Sequence, residues 1–266
     1  MITAYHRPQT LDEAIELLAH PDTIPLAGGT TVNTPAFIKS QPADFAVVDL
    51  QALGLDKIHK LGNNLEIGAC VTLQQLYEST HVPPALKQAI RLEASLNIRN
   101  AASLAGSLLT CAGRSPFGTM MLALDARLTV DGKPLASVLG PPSSVLALSD
   151  LFTLRRSLLG QRLITKITIP LNASAAFETV ARSPADRPVV CAALALWSSG
   201  RTRLALGGWG KAPVLAMDGT EPDGLESAAR SACEEAGDEW ASAAYRTDVA
   251  ATLAKRCLEQ VMEALE

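Results

Sequence analysis

The chain has 266 residues, of which 48% are hydrophobic and 19% are charged. This balance is typical of a folded globular protein and excludes a disordered or collagen-like chain, and the length suits one large domain or two modest ones. The formal net charge of -4 provides no positive field that would attract phosphate backbones, so no nucleic-acid partner is expected.

No stretch approaches the roughly 18 consecutive apolar residues that a membrane-spanning helix needs, and Met1 to Pro8 contain no apolar signal segment. The sequence therefore predicts a cytoplasmic protein without a membrane span.

The five cysteines are widely spaced and form no C-x-x-C pair, which argues against a disulfide framework and against a structural zinc site. They are Cys70, Cys111, Cys191, Cys233 and Cys257. The four histidines lie in separate segments without a metal-ligand spacing. We therefore expect mostly buried, reduced thiols and no metal bound within this chain.

The first third of the chain indicates a small β-α-β unit. Thr10 to Glu13 form a capping box that opens a helix over residues 10–19. The apolar run 24–26 predicts a buried strand that ends in the turn 27–31, and residues 45–50 predict a second strand buried on both faces.

The middle of the chain has shorter elements of both kinds. Two strands, 57–61 and 65–67, flank a turn at residues 62–64 and predict a hairpin. Helices are expected to begin at Thr72 and at Pro83-Pro84 and to cover 117–124, before a strand at 126–130. This mixture indicates an α+β fold.

The last third predicts a sheet covered by helices. Residues 163–169 alternate as a strand with one buried face and stop at Pro170, and residues 172–175 have the composition of a connector between domains. Strands follow at 189–197 and 202–206, and a closing helix carries the apolar stripe from Val249 to Leu265. The segment 212–244 contains eight acids and one base, which is typical of a solvated face and less often of a docking patch.

Two small-residue segments are the candidates for ligand binding. Ala27-Gly28-Gly29-Thr30-Thr31 follows a strand, and its glycines let the backbone approach a ligand with several N–H groups turned toward one anion. Residues 101–107 repeat this chemistry of small side chains and hydroxyls. Together the two segments could grip a diphosphate without a lysine, although a Gly-Gly turn after a strand is more often only a turn, and neither segment fits a known nucleotide motif.

The order of several short segments resembles the flavin-bearing medium subunit of the molybdenum hydroxylases, the family of carbon monoxide and xanthine dehydrogenases. In the first part of the chain the resemblance lies in the opening helix, residues 26–30, 48–50, 67–72, 98–100 and 123–126. In the last part it lies in residues 167–170, 206–209 and 244–246.

The resemblance implies a two-part FAD-binding domain of the p-cresol methylhydroxylase type over residues 1–172, with subdomains of about 1–55 and 56–172. A smaller sheet-plus-helices domain over 173–266 would follow. FAD would lie with its pyrophosphate between residues 27–31 and 103–107. The cofactor-binding residues implied are Ala27, Gly28, Gly29, Thr30, Thr31, Ser103, Gly106 and Ser107, with Leu163 and Ile164 beside the flavin ring.

In such a complex, electrons reach FAD from a two-iron two-sulfur cluster on a small partner subunit, which is fed by a molybdopterin-bearing large subunit, and leave for an external acceptor. The resemblance thus implies an electron-transfer subunit of an oxidoreductase. No side chain of this chain is expected to be catalytic, because the redox chemistry belongs to the cofactor.

The chain departs from the family pattern at four positions. Ala105 and Ser107 replace a glycine and an asparagine of the second segment, Pro116 falls where an acid is common, and Thr179 falls where a lysine is common. Lys166 and Arg182 are possible substitutes for that lysine. These departures support an alternative, a scaffold subunit that keeps the fold without the cofactor; Ala105→Gly with Ser107→Asn would then restore flavin if only local contacts were lost. A self-sufficient flavin oxidase is a third possibility.

Overall fold

A computed structural model of the protein describes residues 2–40, 44–132, 143–158 and 162–265. These residues form three sheets, two of which are antiparallel and one of which is parallel.

The first sheet is parallel, with the strand order β1-β3-β2. Its elements are β1 (Ile2–His6), α1 (Leu11–Leu18), β2 (Thr23–Leu26), α2 (Pro35–Ser40) and β3 (Phe45–Asp49). The predicted N-cap of α1 is confirmed, since the Thr10 hydroxyl accepts a hydrogen bond from the Glu13 N–H at 3.3 Å. The full capping box is wrong, because the Glu13 carboxylate accepts from the Gln9 N–H at 2.9 Å and not from the Thr10 N–H. The sequence did not predict β1, because this edge strand leaves Ile2 and Tyr5 exposed and so lacks a buried apolar pattern.

The second sheet is antiparallel, with the order β4-β5-β8-β6-β7. Its strands are β4 (Ile58–Leu61), β5 (Asn64–Gly68), β6 (Arg127–Gly132), β7 (Ser143–Ala147) and β8 (Arg162–Pro170). The predicted hairpin and the predicted strand before Pro170 are both confirmed. From Thr165 onward β8 alternates between buried and half-buried residues, as expected for a strand with one face on the core.

The α-helices described in this part of the chain are α3 (Leu73–Glu78), α4 (Pro84–Glu93), α5 (Leu96–Ala101), α6 (Leu104–Thr110), α7 (Pro116–Ala123) and α8 (Leu148–Leu158). All eight residues of α7 are buried. This helix packs against α4 on one side and against the strands of the third sheet on the other, so its sequence is apolar all round.

The third sheet is antiparallel, with the order β12-β11-β10-β9. Its elements are β9 (Ala173–Val180), β10 (Val190–Trp197), β11 (Thr202–Gly207), β12 (Val214–Gly219), α9 (Leu225–Ser231) and α10 (Ala243–Glu263). β11 is entirely buried and β10 nearly so, because α7 covers one face of the sheet and α10 packs against β10 on the other.

The expected connector at 172–175 is wrong from Ala173 onward, where β9 begins. Small residues alternate with polar ones there, and pairing with β10 turns this weakly apolar segment into an edge strand. One apolar core includes residues of β5, α7, β8 and β10, so it extends across residue 172. The domain division at that residue stays a prediction.

The eight acids of segment 212–244 are all exposed, as predicted for a solvated face. Two of them also have structural partners. Asp218 pairs with Arg201, which precedes β11, and with Arg203 on β11. Asp238 accepts a hydrogen bond from the buried Arg246 of α10 at 2.8 Å. Whether this segment docks a partner stays a prediction.

Candidate functional site

A cavity of about 290 Å³ opens between the first sheet, the start of α6 and the first residues of β8. This volume lies at the lower end of the roughly 300–1,000 Å³ that is usual for small-molecule sites. Three distant stretches of sequence contribute most of its lining, namely residues 24–32, 103–110 and 163–164.

Nine of the ten residues predicted from the sequence line this one cavity: Ala27, Gly28, Gly29, Thr30, Thr31, Ser103, Gly106, Leu163 and Ile164. The tenth, Ser107, is half-buried on α6 and lies outside the lining. The fold therefore brings the two small-residue segments and the apolar pair together. Contact of these residues with FAD stays a prediction.

The first segment offers backbone donors. Within the described part of the chain, the N–H groups of residues 27–32 donate no hydrogen bond. The turn is held through its carbonyl oxygens, since Gly29 accepts from the Asn33 N–H at 3.1 Å and Thr31 accepts from the Thr34 N–H at 2.9 Å. Gly29 has a φ of +70°, a left-handed conformation that helps successive N–H groups converge on one anion.

The second segment is not the loop that the sequence suggested, because residues 104–107 form the first turn of α6. Ser103 is the N-cap, and its hydroxyl accepts from the Gly106 N–H at 3.3 Å. The N–H groups of Leu104 and Ala105 donate to the carbonyl oxygens of Val71 and Ala69, at 2.8 and 3.1 Å. Small residues at a capped helix start look the same in sequence as a small-residue loop.

The remaining walls of the cavity are apolar. Leu163 and Ile164 are each only 5% exposed, and Ile24, Leu50 and Leu109 add further aliphatic surface. Such walls suit a flat, largely apolar ring and exclude water from it.

Several lining residues were not predicted from the sequence. Phe37, Ala69, Cys70 and Thr110 reach the cavity only through the tertiary fold, although the helical spacing of 103, 106 and 110 could have indicated Thr110. Burial raises the pKa of the Cys70 thiol to about 11, so this thiol is neutral at pH 7 and is not an activated nucleophile.

Of the four departures from the family pattern, only Ala105 lines the cavity. Pro116 is fully buried at the start of α7. The Thr179 hydroxyl donates to the Val190 carbonyl oxygen at 3.3 Å and faces a separate cavity of about 310 Å³. The proposed lysine substitutes also lie outside the lining, since Lys166 pairs with Glu66 at 2.7 Å and Arg182 pairs with Asp186 at 2.8 Å.

Four of the five cysteines are buried, Cys70 is half-buried, and all five are free thiols, as the sequence predicted. In the ranges that the structure describes, no group of three or more His, Cys, Asp or Glu side chains is placed to hold a metal ion. None of the described helices combines the length and the apolar character that crossing a membrane requires.

Comparison with known proteins finds a matching family and a relative that matches over nearly the whole chain. The sequence model of one family, the FAD binding domain in molybdopterin dehydrogenase, matches residues 1–172. The uncharacterized protein YgfM of Escherichia coli K12 is 28% identical over 262 residues, covering 95% of this chain and 94% of YgfM.

Solved structures match over nearly the whole chain. A chain of the Cu,Mo-CO dehydrogenase is 25% identical with a TM-score of 0.78, covering 98% of both chains. A chain of the reconstituted CO dehydrogenase from Oligotropha carboxidovorans is 25% identical with a TM-score of 0.77, covering 97% of this chain and 96% of that one. A chain of quinoline 2-oxidoreductase from Pseudomonas putida 86 is 24% identical with a TM-score of 0.77, covering 99% and 98%, and shows the same fold.

The cavity suits FAD, the cofactor named in the description of this family. The backbone N–H groups of residues 27–32, which donate no hydrogen bond within the described ranges, suit a diphosphate, and the aliphatic wall around Leu163 and Ile164 suits the flavin ring. The family match covers about two thirds of the sequence and includes every lining residue of the cavity. The chain therefore belongs to the family of FAD-binding domains in molybdopterin dehydrogenases.

Proposed function

We propose that this protein is the FAD-bearing electron-transfer subunit of a cytoplasmic molybdenum hydroxylase complex. Its partners would be a molybdopterin-bearing large subunit and a small subunit with a two-iron two-sulfur cluster. The observation that carries the proposal is that one cavity is lined both by residues 27–32, whose N–H groups donate no hydrogen bond among the described residues, and by the apolar pair Leu163 and Ile164.

Bound FAD would supply the redox chemistry, by accepting electrons from one partner and releasing them to an external acceptor. The chain's own residues bind and orient. Gly28 to Thr31 present N–H groups and hydroxyls to the diphosphate, and Leu163 and Ile164 keep water from the ring. No side chain of the cavity is proposed as an acid or a base, which agrees with the neutral Cys70 thiol.

A scaffold subunit without cofactor is the second candidate, and Ala105 is the observation that favours it. This side chain is 8% exposed and adds a methyl group to the cavity wall. Pro116 and Thr179 give that candidate no support from this cavity, because neither residue lines it.

The test of the cofactor is the visible absorption spectrum of the purified protein, followed by titration with FAD if the protein is colourless. Oxidised-flavin bands, or a Kd below about 10 μM, which corresponds to roughly -7 kcal/mol, would support the proposal. A folded protein that ignores excess FAD would favour the scaffold.

A matched pair of variants would show that binding uses this cavity. Ala105→Leu fills part of the cavity on a helix that tolerates leucine, so the Kd for FAD should rise by more than about tenfold. Ala112→Leu makes the same change at an exposed position outside the cavity and should leave the Kd unchanged. Equal affinities for both variants would place the flavin elsewhere.

The partners need a separate experiment, because FAD binding alone does not identify them. The tagged protein should be purified from its own cells and analysed for molybdenum, iron and flavin. Co-purification of two further polypeptides with molybdenum and iron would support the proposed complex. A flavoprotein that purifies alone and contains no metal would contradict it.

A further inference from the structure

Another cavity, of about 300 Å³, lies between the end of β9, the start of β10 and the start of α10. None of the described residues that line it lines the cofactor cavity. Val180, Val189 and two alanines give it an aliphatic wall, and the exposed rings of Trp240 and Tyr245 give it an aromatic one. Such a lining favours a ligand with an apolar or aromatic body.

Arg182 adds the charge to this cavity, since the other described residues of the lining are uncharged. Its Nε donates to Asp186 at 2.8 Å and, within the described ranges, its terminal nitrogens donate no hydrogen bond. Asp186 lines the neighbouring cavity, which Thr179 faces, and not this one. The two terminal nitrogens of a guanidinium can bind a carboxylate through parallel hydrogen bonds.

The guanidinium group of Arg182 is held in position by its neighbours. Its Cζ atom lies 4.4 Å from the centre of the Trp240 ring, and the Cζ atom of Arg114 lies 4.3 Å from the same centre. Arg114 is itself anchored, because it donates to the carbonyl oxygens of Arg187 and Pro188 at 2.6 and 2.8 Å. An arginine that is already fixed loses little conformational entropy when it binds an anion.

We propose that this cavity binds a small aromatic carboxylate, with its carboxylate on the terminal nitrogens of Arg182 and its ring against Tyr245 and the aliphatic wall. One guanidinium suits a single negative charge, whereas a dinucleotide would need donors for two phosphates. The site goes beyond the proposed function and does not depend on it, because the two cavities have no described lining residue in common.

The test is titration of the whole protein with benzoate, followed through the amide chemical shifts in NMR spectra. The largest shifts should fall on residues 180–182, 189 and 240–245, with a Kd below about 5 mM. Benzamide has the same ring without the charge, so it should bind at least about tenfold more weakly. Equal binding of acid and amide, shifts centred elsewhere, or a Kd above about 5 mM for benzoate would overturn the proposal.

Variants identify the groups that the acid contacts. Arg182→Gln should weaken benzoate binding by at least about tenfold, whereas Arg256→Gln, at an exposed position of α10, should change the Kd by less than about twofold. Tyr245→Ala keeps the helix, because alanine is a good helix former, and should weaken binding by about 3- to 10-fold. Wild-type affinity in the Arg182→Gln and Tyr245→Ala proteins would contradict the site.

The same titration with saturating FAD separates this cavity from the cofactor cavity. Benzoate should bind with an unchanged Kd when FAD is present. Displacement of benzoate by FAD would show that the two cavities form one cofactor site and would overturn the proposal. A protein that binds benzoate but no FAD would lose the proposed function and keep this site, so the two failures are distinguishable.

Discussion

The carbonyl oxygen of Ala101 occupies the space into which a Cβ atom on Gly28 would project. The turn after β2, which lines the cavity, therefore lies directly against the end of α5. Residue 28 must be glycine because a Cβ atom there would clash with the Ala101 backbone. Residue 29 favours glycine because its φ of +70° is left-handed.

Gly28→Ala should therefore damage the site. Because the clash is with backbone, the turn must move, and we expect a loss of about 1–3 kcal/mol in the free energy of unfolding. The Kd for FAD should rise by more than about tenfold, since the N–H groups of the turn lose their alignment. Urea unfolding and flavin fluorescence titration measure the two effects.

Gly62→Ala is the matched control. Gly62 lies in the β4–β5 hairpin with a φ of +56° and open space around it. Alanine should cost about 1 kcal/mol there through backbone strain and leave the Kd for FAD unchanged. Wild-type affinity in the Gly28→Ala protein would show that the turn does not shape the site.

Protonation of the buried Glu93 carboxyl makes the free energy of unfolding depend on pH. Burial raises the pKa of this carboxyl above its ordinary value of 4.5, against the opposing effects of the Ser115 hydroxyl at 2.7 Å, Arg187 at 3.9 Å and the Phe117 N–H at 3.1 Å. A carboxyl with a raised pKa binds its proton more tightly in the folded chain. Its favourable contribution is thus complete below pH 4.5 and is lost as the pH rises through the folded-state value.

Glu93→Gln should remove this term and keep the hydrogen-bond acceptor. The free energy of unfolding of the wild type minus that of the variant should decrease steadily as the pH is raised from about 4 to 8 in a series of urea titrations. A difference that is constant with pH, or that increases, would show that burial does not dominate at this carboxyl.

Arg246 of α10 is fully buried, and its guanidinium contacts the segments before β10, after β11 and between α9 and α10. It donates to the carbonyl oxygens of Val189 at 3.1 Å and Gly208 at 3.2 Å, to those of Ala236 and Ala241, and to Asp238.

Arg246→Lys keeps the charge but cannot reach all of these acceptors, so the free energy of unfolding should fall by about 3–5 kcal/mol. Arg256→Lys, at an exposed position of the same helix, should change it by less than about 0.5 kcal/mol. Similar stabilities of the two variants in urea would contradict this role.

Asp218 pairs with two arginines at the start of β11: Arg201, just before the strand, and Arg203 within it. Arg201 donates to Asp218 through two bonds of 2.9 Å. The other arginine, Arg203, has a side chain only 6% exposed and needs a carboxylate partner more than a surface residue does. Asp218→Asn should lower the free energy of unfolding by about 2 kcal/mol.

The control for this change is Asp248→Asn, which removes the partner of the exposed Arg230. A solvent-exposed pair contributes about 0–1 kcal/mol, so this variant should be close to wild type in the same thermal or urea unfolding experiment. Equal losses in the two variants would show that the burial of Arg203 has no energetic consequence.

Much of the site could be predicted from sequence because it depends on local chemistry. Consecutive glycines after a strand, as at Gly28 and Gly29, let the backbone approach a ligand, whereas Leu163 and Ile164 were assigned to the site from the resemblance to the family. Ser107 was predicted from its place in a motif, but the side a helical residue faces depends on how the helix packs, and Ser107 does not line the cavity.

The sequence by itself determined the capped helices, the hairpin, the strand before Pro170 and the chemistry of the turn 27–31, because each depends on residues close together in the chain. Only the tertiary structure decided which N–H groups remain available. The N–H groups of Leu104 and Ala105 donate to Val71 and Ala69, more than thirty positions earlier, whereas those of the turn 27–32 donate to no residue that the structure describes. Hydrogen bonds between distant segments follow from sheet and helix packing, so no local pattern could show which N–H groups around the cavity are already hydrogen-bonded.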